Sequence, residues 1–574
     1  MVLWTILPTA LLWSLAYAED RLISERLTRS SRLTRHGAAL GDLYNMTFLH
    51  VNDVHSHLDQ YGTTGTDCEP RSSQCVGGYA RLKTKMDEIR GESANTLVLN
   101  MGDEFQGTLF FSYYGGEKIA ETVNSIKFDA MTIGNHEFDR GNDHLAQYLD
   151  NMSAPIISAN IQTNHTKLAS LIKPYHIFPE HSLAVIGLTT IHTRTTSSPD
   201  PGTEFLDPVE VLQATVDEIN RTEKVDRIIA MTHIGYKEDI DLARRTRGIH
   251  LILGGHSHTL IGNYPQAEGP YPTVATNLDG EEVFIVTAWR WGQVLGYINV
   301  SFEAQGGRVL EYSGGPIYMD SSIKQDPELQ QKISAWRKPF DDYAKQVVGV
   351  TTEVLDATKC QKGECTLGNF ICDAMLDYRL AMGAKVDGTI MNAGGIRASI
   401  PAGNVTRGEI ITSFPFGNAV VDLSFTGQEF WTMMEGVVSS RNTADREVTS
   451  FIQVSRTITL TYAPNLPPGI RLRSLSISGK PIEFERTYTI STIDFVAGGG
   501  DGFIYPPKKP GPPMNTLDVV LADYLEEVTP WTPFLDGRIA KVGATRNGED
   551  GQMVLGEEVD VETCYGISCN PNYY

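Results

Sequence analysis

"TIGNHEFDRG", residues 132–141, continues an apolar run, Phe128-Asp129-Ala130-Met131, that reads as the end of a strand. Straight after Gly134 it crowds Asn135, His136, Glu137 and Asp139 together. An amide, an imidazole and two carboxylates at a strand end are the side chains of a metal or acid–base site. Taken alone they prove little. An Asp in such a turn is ordinarily a turn former, and a His after a strand is ordinarily a satisfied polar residue. The decision rests on whether other strand ends supply matching groups.

Four others do. "MTFLHVNDVHSH" (46–57) delivers Asp53 and His55, and "TLVLNMGDEFQG" (96–107) delivers Asp103. "DRIIAMTHIG" (226–235) delivers His233, and "HLILGGHSHT" (250–259) delivers His256 and His258. Asn135 completes the set. In open α/β sheets ligands gather at the carboxyl ends of strands, so these loops are expected to converge. Gly102, Gly134, Gly254 and Gly255 stand at the turns, where a missing side chain lets the chain bend. Seven such groups are too many for one tetrahedral zinc and suit two metals sharing a carboxylate. Two divalent cations against Asp53 and Asp103 leave a surplus of positive charge, which suits a phosphate dianion.

The bulk numbers fit that reading. The chain has 574 residues, too long for one ordinary core, with 41% hydrophobic and 21% charged residues. Its net charge of −22 argues against a nucleic acid polymer as partner, while a small anion remains compatible with one local positive pocket. Residues 1–18 end in Ala16-Tyr17-Ala18 and read as a secretory signal peptide, and 19–44 as a basic arm or pro-segment. A short membrane anchor is the other reading of that apolar run. The polar tail, 546–574, carries no lipid-anchor signal, so no membrane anchor is expected.

The seven cysteines fall into close pairs, Cys68/Cys75, Cys360/Cys365 and Cys564/Cys569, with Cys372 left over. That usage fits an extracellular, disulfide-permissive setting. Six sequons, at Asn45, Asn151, Asn164, Asn220, Asn299 and Asn404, are compatible with glycosylation. Short apolar runs alternate with helix-like segments over 45–318, which predicts an α/β domain. A linker helix is expected within 319–345, with Asp326 as N-cap and Pro327 at its first position. A second domain, mixing helix and strand, is expected over 346–545.

The order D-x-H, G-D, G-N-H-E, H and G-H-x-H resembles the signature of binuclear calcineurin-like metallophosphoesterases. "GNHEFD" and "GGHSH" are similar to the 5′-nucleotidase family in particular. The resemblance covers residues 45 to 545 and implies a metallophosphoesterase α/β sandwich followed by an α+β nucleotide-recognition domain. It implies that Asp53, His55, Asp103 and His258 hold one metal and Asp103, Asn135, His233 and His256 the other. The donor set suits zinc, and also manganese or cobalt. The resemblance further places a His136–Asp139 pair over the scissile phosphate. In-line attack of a hydroxide activated at the metals is then expected, with His136 stabilising the developing charge.

The second half carries "TIMNAGGIRASIPAGNVTRGEIITSFPFGN" (389–418) and "TISTIDFVAGGGDGF" (489–503). Phe416 and Phe495 offer faces on which a base could stack, Asp501 an acceptor for ribose hydroxyls, and Arg397 a cation for phosphate or ribose oxygens. From composition alone both phenylalanines read as core residues before they read as base contacts. "NAGGIR", "PFGN" and "FVAGGGDGF" are similar to substrate-recognition motifs of the family. By position they imply Asn392, Gly394, Arg397, Phe416, Phe495 and Asp501 as base and ribose contacts.

The resemblance has two departures. Gln361 stands where animal cell-surface members carry an arginine thought to meet phosphate, and Thr389 stands where the partner of Cys372 is usual. Cys372 is therefore expected to be a buried free thiol. The activity implied is hydrolysis of nucleoside 5′-monophosphates such as AMP. The alternatives are an apyrase-like or UDP-sugar hydrolase acting on longer phosphate chains, and a non-catalytic nucleotide binder. With phosphate chemistry in one domain and base recognition in the other, catalysis is expected to need domain closure about 320–345.

Overall fold

The computed structural model describes residues 43–62, 67–68, 74–305, 307–511, 513–546 and 553–556. The expected signal peptide, the Cys564/Cys569 pair and most of the polar tail lie outside them, as does the basic arm except Leu43 and Tyr44, which open the first strand. The chain divides into two compact units, and the main division falls between Arg337 and Lys338.

The first unit is built on two sheets. One runs in the order Val309–Gly314, Val294–Glu303, β1 (Leu43–Val51), β2 (Thr96–Asn100), β3 (Ala130–Thr132), Ile156–Ile157 and Ile172–Lys173. From β1 onward its neighbours are parallel. The other runs in the order Thr273–Thr276, Glu282–Thr287, β5 (Leu251–Gly254), β4 (Arg227–His233), Leu183–Thr189 and Tyr175–Phe178. Its four central strands are parallel. Parallel neighbours end on a common edge, which is what brings the ligand-bearing loops together within each sheet.

Strand periodicity explains the layering. In β4, Ile229 and Met231 join Phe48, Leu97 and Leu99 of the first sheet, and Met101 just past β2, in one core. Ile228 and Ala230, pointing the other way, meet helices α1 (Pro208–Thr222) and α2 (Tyr236–Arg245) through Leu212, Val216, Ile219, Leu242 and Ala243. Burial on both faces is why the strand reads as a near-continuous apolar run. Asp207 accepts hydrogen bonds from the Val209 and Glu210 amides and starts α1, with Pro208 at its first position.

Helix α3 spans Pro327–Ala344. Asp326 caps it by accepting the Leu329 amide at 2.9 Å. The sequence reading missed one feature: Pro339 sits inside α3, two residues past Arg337, and withholds an N–H from the helix ladder.

In the second unit, β6 (Gly388–Asn392) lies between Thr487–Ile493 and Ile452–Val454, with Val420–Thr426 outermost. A second sheet holds Lys480–Pro481, Leu472–Ile477, Ile458–Tyr462 and Ile539–Lys541. Helix α4 (Thr366–Ala381) buries Leu367, Phe370, Ile371, Cys372 and Met375 in the common core. Disulfides join Cys68 to Cys75 and Cys360 to Cys365. Cys372 is free and buried, and Thr389 donates its hydroxyl to the Cys372 carbonyl at 2.5 Å. No helix of the described residues is long and apolar enough to cross a membrane.

Candidate active site

The loops after β1, β2 and β5 share an uncommon backbone. Asp53, His55, Asp103, His256 and His258 have φ of 53°, 49°, 56°, 85° and 49°. Left-handed φ is sparsely populated by residues with a Cβ and persists only where the surroundings enforce it, characteristically at functional sites. The glycines act differently from the sequence expectation. Of the four at the turns, only Gly102 has a left-handed φ, of 82°. Gly134 is required because a Cβ there would strike the Asp103 carboxylate, and Gly254 because one would strike Asp239. At Gly255 a Cβ would come within 3.0 Å of Asn52 Cβ. Close approach, rather than bending, selects these three.

The ligand atoms converge in two groups: Asp53, His55 and His258, and Asp103, His233 and His256. His55 Nδ1 lies 3.0 Å from the Phe105 carbonyl oxygen, and His233 Nδ1 lies 2.6 Å from that of Met101. A carbonyl can only accept, so both Nδ1 atoms carry a proton and Nε2 is the nitrogen left to offer a metal its lone pair. His233 Nε2 lies 3.0 Å from Asp103 Oδ2, and His258 Nε2 3.3 Å from Asp53 Oδ1. His55 Nε2 and His258 Nε2 are 2.9 Å apart.

Asp53 Oδ1, Asn135 Oδ1 and His233 Nε2 are buried without a hydrogen-bond partner. Leaving buried acceptor atoms unpaired is costly unless cations satisfy them. Imidazole, carboxylate and amide oxygen are fitting ligands for two divalent metals.

Charge and burial shape the same atoms. Burial opposes the charge on Asp103, but His233, His136 and His55 in their protonated forms outweigh it and hold its carboxyl well below the usual range, and Asp103 and Asp53 in turn raise His233, against burial, to about 10. Asp53 is lowered likewise, against burial, by His258 and His233. Burial drops His256 to about 3, which keeps it neutral.

His136 opens a short 3-10 turn, His136–Phe138, and its amide donates to Asp103 Oδ1 at 2.9 Å. Its Nδ1 meets Asp139 Oδ2 at 2.9 Å, so the pair expected from the sequence is formed. The ring stands edge-on to His55, centroid to centroid 5.3 Å.

Sequence reasoning missed two supports. Asn52 is buried and spends its whole amide on the site: Nδ2 donates to Asp53 Oδ2 at 2.6 Å and to the Trp289 carbonyl at 2.7 Å, while Oδ1 accepts the Ala288 amide at 2.7 Å. With the His256 amide also on Asp53 Oδ2 at 2.9 Å, Oδ1 is the oxygen left for a metal. Its signal was its place, a buried amide between an apolar strand and a ligand. Glu137 is the second. Burial and the nearby Asp103 push its carboxyl up, against backbone donors that favour the charged form.

In the second unit, Asn392 ends β6 and its Nδ2 donates to Asp501 Oδ2 at 2.6 Å. Asp501 is itself left-handed, at φ 53°, and burial raises its carboxyl. A Cβ on Gly394 would come within 2.9 Å of Asp501 Oδ2. Arg397 Nη1 donates to the Gly394 carbonyl at 3.2 Å and its guanidinium lies 5.9 Å from the Phe416 ring centroid. Phe495 is half-buried, and a side chain on Gly500, beside Asp501, would collide with its ring. All six expected recognition residues thus belong to one connected neighbourhood. Two others join it: Thr449 Oγ1 donates to Asp501 Oδ1 at 3.2 Å, and Ser450 Oγ accepts the Gly394 amide at 2.7 Å. No sequence pattern singled them out. Gln361 Oε1 accepts the Phe451 amide at 2.9 Å, so this neutral side chain is tied to the adjoining backbone.

Comparison with known proteins agrees with both halves. Residues 46–260 match the calcineurin-like phosphoesterase family, and residues 347–506 match the 5′-nucleotidase C-terminal domain. A snake venom 5′-nucleotidase of Naja atra is 35% identical over 86% of this chain and 98% of its own length. The 5′-nucleotidase of Homo sapiens is 34% identical over 80% of this chain and 84% of its own. Among solved structures, a 5′-nucleotidase precursor from Thermus thermophilus aligns with a TM-score of 0.80 and 34% identity, over 87% of this chain and 99% of that one. The chain belongs to the 5′-nucleotidase family.

Proposed function

We propose that the protein is a secreted, metal-dependent hydrolase that splits nucleoside 5′-monophosphates such as AMP into nucleoside and phosphate. The observation that carries this reading is the convergence of ligand atoms into two groups, Asp53, His55 and His258, and Asp103, His233 and His256; the unsatisfied Asn135 oxygen and the His136–Asp139 pair support it. Two divalent ions, zinc in the first instance, would supply Lewis acidity and an activated water at this site. Asp53, His55 and His258 would hold one, Asn135, His233 and His256 the other, with Asp103 between them.

The chain's own residues do the rest. Asp139 accepts the Nδ1 proton of His136 and fixes the ring, so that Nε2 can meet a phosphoryl oxygen. When that nitrogen is protonated it donates to the oxygen on which charge builds as the ester bond breaks. Asn392, Arg397 and Asp501 hold the nucleoside by hydrogen bonds, and Phe416 and Phe495 by stacking. The relatives named 5′-nucleotidase and the venom origin of one of them support this substrate class and an extracellular setting.

A second reading, hydrolysis of nucleoside di- or triphosphates or UDP-sugars, is favoured by one observation: Gln361 brings no positive charge and is already engaged by the Phe451 amide. Phosphate release from AMP, ADP and ATP, and UMP release from UDP-glucose, with and without a chelator, tests both. Chelator-sensitive release from AMP above all others is expected. Preference for ADP or ATP selects the second reading, and release from none of them sinks both.

A further inference from the structure

In "GNHEFD" the functional reading uses Asn135, His136 and Asp139 and leaves Glu137 without a part. Its side chain is buried, 3% exposed. The carboxylate accepts four backbone amides: Oε1 takes those of Glu104 at 2.7 Å and Phe105 at 3.2 Å, and Oε2 takes those of Asp103 at 3.0 Å and Gly134 at 2.7 Å. Three of these donors belong to the loop after β2 and the fourth to the loop after β3.

The two loops have few other ways to stay in register. Asp103 and Gly102 are held in left-handed backbone, and successive amides there turn inward as a nest of donors. Strand pairing has ended, so these N–H groups have no ladder partner, and a buried amide without an acceptor is costly. The loops also touch closely: a Cβ on Gly134 would strike Asp103, and one on Gly102 would strike the Gly134 amide. One carboxylate satisfies donors from both.

We propose that Glu137 is a positioning residue for the metal pair, a brace that holds the bridging Asp103 and the neighbouring Asn135 at the spacing two cations require. It touches neither metal nor substrate. Acting from behind the Asp103 backbone, it fixes where the Asp103 carboxylate starts, while the His136 amide on Asp103 Oδ1 fixes how it is turned. The inference rests on the metal reading proposed above.

The test is metal titration, by calorimetry and by the visible spectrum of the cobalt-substituted protein, on wild type, Glu137→Gln and Glu137→Asp. In Glu137→Gln one oxygen becomes an NH2 facing backbone donors, so two of the four bonds are lost. The expected result is a loss of affinity of about 10–100-fold for one of the two ions, as is usual for supporting residues, with a changed cobalt spectrum. Turnover should recover when metal is in excess, and Glu137→Asp, which keeps the charge, should bind between wild type and Glu137→Gln. Wild-type affinities and spectrum in Glu137→Gln would overturn the proposal. So would a fall in melting temperature that is equal with and without metal, since a purely structural part predicts that. If Glu137→Gln does not fold, wild-type affinities in Glu137→Asp overturn it and weakened ones support it. A wild-type chain that binds no divalent ion sinks the metal reading itself, a different outcome from a variant that binds as wild type does.

Discussion

At the scale of single residues, His136 and His50 show how differently two buried histidines are used. His136 has a carboxylate on Nδ1 and a metal ligand's ring beside it, and it supplies no atom to either ligand group. His136→Ala is therefore expected to lower kcat by about 10²–10⁴-fold, the usual worth of a positioned acid or charge stabiliser. Bound metal should stay near two ions by elemental analysis, and loss of metal in that variant would show that its role is misassigned. His50 has no such role. It lies in β1, stacked parallel to Tyr271 with Nε2 3.0 Å from the Tyr271 hydroxyl, while Nδ1 is buried and unpaired. Burial lowers it to about 3. The unfolded chain takes up that proton near pH 6.5 and the folded one only near 3, so its stabilising effect is intact above 6.5 and is lost as pH falls toward 3. The loss is at most about 1.4 kcal/mol per pH unit. Denaturant midpoints from about pH 7 to 4.5, with chelator throughout, should fall less steeply in His50→Phe than in wild type; equal slopes would remove His50 as the cause. The sequence showed both residues as a His at a strand, and only the environment separates them.

At the scale of elements, the ligand set was readable because each ligand closes or follows a short apolar strand, and parallel strands of one sheet end together. Asn135 could be placed from "TIG" and His233 from "IIAMTH" for that reason. The supports were not readable. Glu137 acts through backbone amides, which every residue has, and Asn52 acts through a rotamer. The glycines were half-read, since sequence shows where the chain turns but not what lies against the turn. Gly134 supplies a test. A methyl there would stand 2.6 Å from the Asp103 amide nitrogen, inside any tolerable contact, so Gly134→Ala must push the loop after β2 away. Tenfold or greater loss of metal affinity is expected, with a far-ultraviolet circular dichroism spectrum like that of wild type. Undiminished affinity would mean the two loops yield more freely than their packing implies.

At the scale of the whole molecule, metal ligation and the proposed nucleotide contacts fall in different units, and this makes their functions separable. The recognition cluster was less readable than the metal site. Its members Asn392, Gly394, Arg397, Phe416, Phe495 and Asp501 were reached through motif resemblance, and Thr449 and Ser450, from a stretch without periodic pattern, had no signal at all. Separability gives the sharpest test of the division of labour. Metal that binds the folded chain stabilises it in proportion to saturation, by about 2.7 kcal/mol at a free concentration about 100-fold above Kd. In Asp53→Asn the part of that increment owed to the ion at Asp53, His55 and His258 should vanish along with turnover, because the unsatisfied Oδ1 facing His258 and His233 is the atom at stake. In Phe495→Ala and Arg397→Ala the increment should persist unchanged while KM for AMP rises about fivefold or more, since stacking and a charged hydrogen bond are each worth about 1–3 kcal/mol. Calorimetric melting with and without zinc, beside steady-state kinetics, reads both quantities on the same preparations. Should the second-unit variants lose the metal increment, or keep the wild-type KM, recognition does not reside where the Asn392–Asp501 neighbourhood puts it.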